Sequence, residues 1–189
     1  MLGKLLIFLA ITAAAAGLGA LWLGRVARRL PPGRWRTFLV LASRLVPAIV
    51  FLAAAYGKLR DPYAFAVSVY AYRVLPASLA TVFAVVTPAI EVSAALALAT
   101  GLLWRGGAIL IGGLLLVFIA GLAQAILRGI NIDCGCFGKG SSPVSFWLIA
   151  RNYGLLLLAL FPMVVERARR DVSASPPRPD NHPSNPPRP

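Results

Sequence analysis

Residues 106–127 read GGAILIGGLLLVFIAGLAQAIL, an apolar run without a charged side chain. A helix that crosses about 30 Å of hydrocarbon needs roughly 20 predominantly apolar residues, so this stretch is long enough to span a membrane. Four further stretches approach that length, at about residues 5–23, 37–57, 78–101 and 143–165. The pattern predicts an all-α membrane protein with about five transmembrane helices.

The composition of the 189-residue chain also indicates lipid as its solvent. Hydrophobic residues make up 59% of the chain and charged residues 13%, and the mean hydropathy is +0.78. This balance lies outside the usual range of soluble proteins, because one core of this size cannot hide so many apolar side chains. The sequence therefore predicts a single domain embedded in a lipid bilayer.

The net charge of +13 does not indicate a nucleic-acid-binding protein. The basic residues cluster between the apolar runs and after the last one, where Lys and Arg set the orientation of membrane spans. Two cysteines and one histidine, His182, are too few for an ordinary structural zinc site or a four-cysteine iron–sulfur cluster. We therefore predict no nucleic-acid partner and no metal site of either kind.

The distribution of Lys and Arg predicts a multi-pass protein of the cell membrane with a defined orientation. Eleven basic residues fall on the side of the C-terminus, and six fall on the side of the loop between the last two spans. The positive-inside rule then places the C-terminus in the cytoplasm and the loop with Cys134 and Cys136 on the extracytoplasmic side. In an alternative interpretation residues 1–16 are a cleaved signal peptide, with Lys4 as its basic region, and the orientation is reversed.

Two segments outside the spans have their own signatures. Residues 62–75 are too short to cross the bilayer, and Asp61 as N-cap, Pro62 in the first turn and Pro76 as the stop predict a short helix in the headgroup layer. A re-entrant loop is the alternative for this segment. Residues 171–189 are Pro-rich and polar, which predicts a disordered tail.

The sharpest chemical feature, in the loop between the last two spans, is Asp133-Cys134-Gly135-Cys136-Phe137-Gly138. Gly135 allows the sharp bend that a disulfide between Cys134 and Cys136 needs, and a ring that tight departs from relaxed disulfide geometry. Strain makes a disulfide easier to reduce, and a bridge over so short a loop is a weak structural staple, so we predict a redox-active pair. Lys139 favours a thiolate and Asp133 opposes it. The alternatives are a static surface disulfide, two unreactive thiols or metal binding.

Three ionisable residues lie inside the predicted spans: Arg44, Glu91 and Arg151, the last beside Asn152. Burying such a charge in a bilayer costs at least about 2.5–3.5 kcal/mol, so each should face a partner or a wet cavity. At about 1.5 Å of rise per residue, Arg44 and Glu91 lie at similar depths, which predicts an ion pair that clamps two antiparallel helices. A functional hypothesis for Arg151 is that it helps to bind a quinone or positions the redox loop.

Four stretches of the sequence together resemble a known family. They are Ala55-Tyr56-Gly57-Lys58-Leu59-Arg60-Asp61-Pro62, Pro88-Ala89-Ile90-Glu91, the six residues from Asp133 to Gly138, and Arg151-Asn152. In this order and spacing they resemble the methylamine utilisation protein MauE family, itself related to DoxX-like membrane proteins, over roughly residues 36–165. The resemblance implies a four-helix transmembrane bundle plus an additional N-terminal transmembrane helix.

The resemblance and the charge pattern together predict three regions. Residues 1–35 would hold the N-terminal transmembrane helix and a basic cytoplasmic loop, and residues 36–166 the four-helix membrane domain of the MauE and DoxX-like type. Residues 167–189 would form a basic and then Pro-rich disordered cytoplasmic tail.

The resemblance implies work beside a thioredoxin-like partner during maturation of a disulfide-rich periplasmic dehydrogenase subunit. We therefore predict a membrane-embedded thiol–disulfide oxidoreductase in which Cys134 and Cys136 exchange electrons with a thioredoxin-like protein or a quinone. A quinone is the candidate cofactor, although no sequence feature selects it. One alternative is a non-catalytic membrane assembly factor for a redox partner. Another is a small-solute carrier that uses Arg44, Glu91 and Arg151 as its path.

Overall fold

In a computed structural model, which describes residues 2–29, 33–73, 76–129 and 146–174, the chain is built from α-helices. No strand occurs in these four segments. The helices are α1 (Leu2–Arg29), α2 (Arg34–Arg60), α3 (Pro62–Ala71), α4 (Ala77–Thr100), α5 (Trp104–Leu127) and α6 (Phe146–Ala174). This architecture confirms the prediction of an all-α protein with a four-helix bundle and an additional N-terminal helix.

Helices α2, α4, α5 and α6 form the bundle, and each runs opposite to the bundle helix that precedes it in the chain. We call the end at which α2 ends and α3 lies the α3 end, and the other the opposite end. The core is made of small and branched apolar side chains from all four helices, among them Phe51, Ala94, Ile111 and Leu156. The bundle therefore has one continuous apolar interior.

Helix α1 lies outside this core and packs mainly against α6. Ala27 contacts the cluster of Phe161 and Val165 at the opposite end. Gly19, earlier in α1, faces Tyr153 and Leu157, earlier in α6. The two helices therefore run in the same direction.

The outer surface of the bundle is apolar, as expected of a protein solvated by lipid. Among the described residues, four helices are long and apolar enough to cross a membrane: α2, α4, α5 and α6. Exposed aromatic side chains lie near both ends, with Tyr63 and Trp147 at the α3 end and Trp35 at the opposite end. Tyr and Trp are enriched at the two membrane–water boundaries, so this distribution fits a multi-pass membrane protein.

The short helix between the second and third predicted spans is α3, and its start is confirmed. The Asp61 carboxylate accepts a hydrogen bond from the Ala64 N–H at 2.9 Å, and Pro62 occupies the first turn. The helix ends at Ala71, earlier than predicted, since Arg73 adopts a positive φ of 51° that no helix continues. Tyr72 is the residue that follows α3. Burial of its own side chain raises the pKa of Tyr72 to about 12, so its phenol remains neutral at physiological pH.

Arg44 of α2 caps the C-terminal end of α4, at the opposite end of the bundle. Its Nε and Nη2 both donate to the Leu98 carbonyl oxygen at 3.0 Å, a carbonyl in the last turn of α4. The helix then ends at Gly101 in the left-handed conformation, with φ 82°, where the Arg44 guanidinium fills the space of a Cβ. Arg44 therefore supplies a charged donor to the C-terminal carbonyls of α4, where the helix dipole favours a cation.

Helices α4 and α5 approach closely at Gly107. A Cβ at this position would lie 2.8 Å from both the Ala94 carbonyl oxygen and the Leu98 nitrogen, which are backbone atoms and cannot rotate away. Small residues allow such approach in lipid, where packing rather than water drives helix association. Gly107 thus sets the spacing of α4 and α5.

The contact at Gly107 generates a prediction about stability. Replacing Gly107 with Ala should destabilise the protein by about 1–3 kcal/mol, because the added methyl group forces the two backbones apart. Gly106→Ala is the matched control, since no atom lies within 4 Å of a Cβ there. Thermal unfolding of the detergent-purified variants measures both. Equal stability of the two variants would show that α4 and α5 are not in contact at this position.

Candidate intramembrane polar site

An ion pair lies inside the bundle, between α2 and α4. Lys58 Nζ contacts Glu91 Oε1, and the two side chains are 1% and 0% exposed. Charged side chains are almost never buried alone, but their burial is tolerated when each is paired with an opposite charge. This contact therefore joins the last turn of α2 to the middle of α4.

Two aromatic rings complete the surroundings of the Lys58 ammonium. Nζ lies 5.1 Å from the centroid of the Phe65 ring, on α3, and 4.9 Å from that of the Phe118 ring, on α5. Both distances are within the range of a cation–π interaction, which strengthens when water is excluded. The ammonium group thus ties together four helices: α2, α3, α4 and α5.

The direction of helical side chains explains why these two residues meet. Each Cα–Cβ bond tilts toward the N-terminus of its helix. Lys58 is near the C-terminal end of α2, so its side chain leans from the α3 end toward the middle of the bundle. Glu91 is in the middle of α4, which runs the other way, so its side chain leans toward the α3 end. The two side chains therefore converge.

A small cavity adjoins the ion pair. Its volume is about 20 Å³, and its polar lining consists of Lys58 and Glu91 together with Arg151 and Asn152 of α6. Glu91 Oε2 is buried and has no hydrogen-bond partner among the described residues. A polar cavity of this size holds about one water molecule, which can donate to that oxygen.

The predicted ion pair between Arg44 and Glu91 is wrong. Arg44 instead binds the Leu98 carbonyl oxygen, and Glu91 binds Lys58. The sequence predicts similar depths in the membrane for Arg44 and Glu91, but similar depth alone does not bring the two side chains together. The Arg44 side chain leans toward the opposite end, while the Glu91 side chain leans toward the α3 end. Their side chains diverge, so Arg44 is not part of the polar site.

Of the predicted intramembrane residues, the structure brings three together. Glu91, Arg151 and Asn152 line the same cavity, as expected for polar groups that share a wet space. Asn152 also donates to the Leu148 carbonyl oxygen at 2.9 Å, within its own helix. The site is therefore formed by α2, α4 and α6, with α3 and α5 supplying the aromatic rings.

The predicted redox residues lie outside the described residues: Cys134, Cys136, Asp133, Gly135 and Lys139. The segment that contains them, residues 130–145, connects the end of α5 to the start of α6. Both of these helix termini are at the α3 end, where Arg128 donates to the Arg73 carbonyl oxygen at 3.1 Å. The segment is thus attached to the end of the bundle that also carries Lys58.

Three residues of the site are not among those predicted from the sequence: Lys58, Phe65 and Phe118. Lys58 lies at the edge of its apolar run, where a basic residue is typical of a loop that follows a span. Two signals could have identified it. It belongs to one of the stretches that carry the family resemblance, and its side chain leans inward, toward the level of the acidic residue on the antiparallel helix.

The buried ion pair generates a second prediction. Lys58→Met or Glu91→Leu alone should cost about 3–5 kcal/mol, because each leaves an uncompensated charge in the bundle. The double variant should recover most of this loss, since apolar side chains of similar volume remove both charges. Unfolding of the purified variants in a double-mutant cycle measures the coupling. Arg60→Met, two residues further along α2 and exposed, is the control. A double variant less stable than either single variant would contradict the pairing.

Comparison with known proteins identifies relatives for most of the chain. The sequence model of the family described as methylamine utilisation protein MauE matches residues 36–165. The chain is 44% identical over 121 residues to the methylamine utilization protein MauE of Paracoccus denitrificans. The aligned residues cover 63% of this chain and 65% of that protein. No solved structure matches the chain.

Two further relatives carry the same name. The protein of Methylorubrum extorquens is 36% identical over 126 residues, which is 66% of this chain and 63% of that protein. The protein of Methylophilus methylotrophus is 35% identical over 128 residues, 67% of this chain and 65% of that protein. The chain thus spans just under two thirds of the length of each of these relatives. With a family match that covers more than half of its residues, the chain belongs to the methylamine utilisation protein MauE family.

Proposed function

We propose that this membrane protein is a thiol–disulfide redox protein that contributes to methylamine utilisation. The relatives are named for methylamine utilisation, which supports the metabolic context. The sequence Asp133-Cys134-Gly135-Cys136 supports the chemistry, because a cysteine pair around one glycine forms a strained and easily exchanged disulfide.

One structural observation carries the proposal. The cysteine-containing segment joins α5 and α6 at the α3 end, and Arg151 enters the polar cavity five residues after the start of α6. The helix that follows the cysteine-containing segment in the chain therefore also lines the cavity. A cationic residue of the cavity thus lies close in sequence to the cysteine pair.

The exchange reaction balances without a bound cofactor. The thiolate of one cysteine attacks a disulfide of the partner, forms a mixed disulfide and releases one partner thiolate. The thiolate of the second cysteine then attacks the mixed disulfide. The products are the Cys134–Cys136 disulfide and a fully reduced partner, with two electrons transferred. The reverse sequence oxidises a partner dithiol.

A second redox partner must restore the cysteine pair, since one pair in one loop cannot carry electrons across a bilayer. When the pair has reduced a partner, a thioredoxin-like dithiol can reduce the Cys134–Cys136 disulfide by a further exchange. When the pair has oxidised a partner, a quinone dissolved in the bilayer can accept the two electrons and two protons of the reduced pair and so restore its disulfide. We propose that the substrate is a disulfide-rich extracytoplasmic protein that requires correct pairing during maturation, as the family resemblance implies.

The alternatives make different demands on the structure. A carrier for a small organic solute needs a larger path than the cavity of about 20 Å³ beside Glu91 provides, and Arg44 lies outside that cavity. A non-catalytic assembly factor makes no use of the cysteines. The proposal is therefore tested by removing the two cysteine thiols.

We expect Cys134→Ser and Cys136→Ser, singly and together, to abolish methylamine-dependent growth while the protein still accumulates in the membrane. The single variant that keeps the attacking cysteine should also form a trapped mixed disulfide with a partner, visible on non-reducing gels, because the resolving thiol is missing. The other single variant should form none, because it lacks the attacking thiol. Ser141→Ala, in the same segment, is the matched control and should grow normally. Unimpaired growth of the double variant would favour the assembly-factor alternative.

We further propose that the cysteine pair is extracytoplasmic and that the C-terminal tail is cytoplasmic, as the excess of basic residues on the tail side suggests. In intact cells, a membrane-impermeant maleimide should label Cys134 and Cys136 after mild reduction. The control is Ser184→Cys in a protein whose native cysteines are replaced by Ser, which should be labelled only after permeabilisation. The opposite pattern would reverse the orientation.

A further inference from the structure

A second cavity lies at the opposite end of the bundle, between the start of α5 and the C-terminal half of α6. Its volume is about 190 Å³, and its lining residues are Trp104, Arg105, Met163, Glu166, Arg167 and Arg170. The four residues from α6 are spaced by three, one and three positions, so they share one helical face. Arg105 and Trp104 come from the first turn of α5.

The cavity carries an excess of positive charge. Glu166 accepts hydrogen bonds from both Arg105 and Arg170, the latter at 2.7 Å. Arg167 is exposed and forms no ion pair within the described segments. One carboxylate therefore faces three guanidinium groups, which leaves donors available for an anion.

The start of α5 adds to this preference for an anion. Its N-cap residue is Leu103, which provides no side-chain hydrogen bond to the first turn. The free N–H groups and the dipole of a helix N-terminus favour a negative group nearby. The N-terminus of α5 and the arginine side chains thus both favour an anion in this cavity.

Apolar side chains accompany the charged groups at the cavity and in the turn that precedes α5. The Arg105 Cζ lies 5.4 Å from the Trp104 ring centroid, and Met163 is a further apolar residue of the lining. Leu102 and Leu103, in the turn before α5, are 88% and 69% exposed. Since this turn joins two membrane-spanning helices, these side chains lie at the boundary between lipid and water.

We propose that this cavity binds the phosphate of an anionic phospholipid, with the acyl chains lying against the exposed leucines beside it. Arginine donors suit phosphate oxygens, and basic pockets between membrane helices bind such headgroups. The volume is below the roughly 300–1,000 Å³ of ordinary small-molecule pockets, so the cavity takes the headgroup while the rest of the ligand stays outside. An amphipathic ligand matches both the cationic lining and the exposed leucines in the preceding turn.

Native mass spectrometry of the 189-residue protein in detergent tests this assignment. The probes are phosphatidylglycerol, zwitterionic phosphatidylcholine and inorganic phosphate. Phosphatidylglycerol should bind most tightly, and Arg167→Gln should weaken its binding about fivefold, as expected for one basic residue at an anionic membrane surface. Arg105→Gln should weaken it by at least as much. Higher salt should weaken binding to the unaltered protein.

The matched control is Arg60→Gln, which removes an exposed arginine from the α3 end and should leave binding unchanged. Because Arg167 has no carboxylate partner in the described segments, its loss should not alter thermal unfolding. Equal binding of phosphatidylcholine, or an equal loss with Arg60→Gln, would overturn the proposal. Inorganic phosphate binding as tightly as the lipid would make the cavity a phosphate site and would also overturn it.

Discussion

The ion pair between Lys58 and Glu91 is the constraint on which the arrangement of the bundle depends. In a bilayer, apolar helices lose little when they slide past one another, because lipid tails are as apolar as their own side chains. A displaced α2 would, however, leave two charges without partners in a low-dielectric interior. The pair therefore selects one register of α2 against α4, and the rings of Phe65 and Phe118 extend that register to α3 and α5.

The same two helices are held a second time, at the opposite end. Arg44 of α2 binds the Leu98 carbonyl oxygen of α4 and packs against Gly101, so a charged donor meets the negative end of the helix dipole. Two polar contacts far apart along one antiparallel pair fix both its register and its crossing. Each uses a cation of α2, but one partner is a side chain and the other a backbone carbonyl.

The sequence predicted the parts of the structure that depend on contiguous residues. The spans follow from apolar length, and the start of α3 follows from Asp61 and Pro62, because these signals act within one turn. The partner of Glu91 could not be derived from depth alone, since pairing depends on the direction in which two side chains lean across separate helices. The cysteine pair, chosen for its spacing, lies outside the described residues and remains a prediction.

The polar site and the cationic cavity differ in whether all of their residues lie within the family match. Lys58, Glu91 and the residues around their cavity lie within residues 36–165, so the polar site belongs to the part of the chain that this family shares. The cationic cavity crosses that limit, because Glu166, Arg167 and Arg170 follow it. Helix α1 also lies outside the match and packs mainly on α6. The two cavities therefore lie at different places along the bundle and share no lining residue.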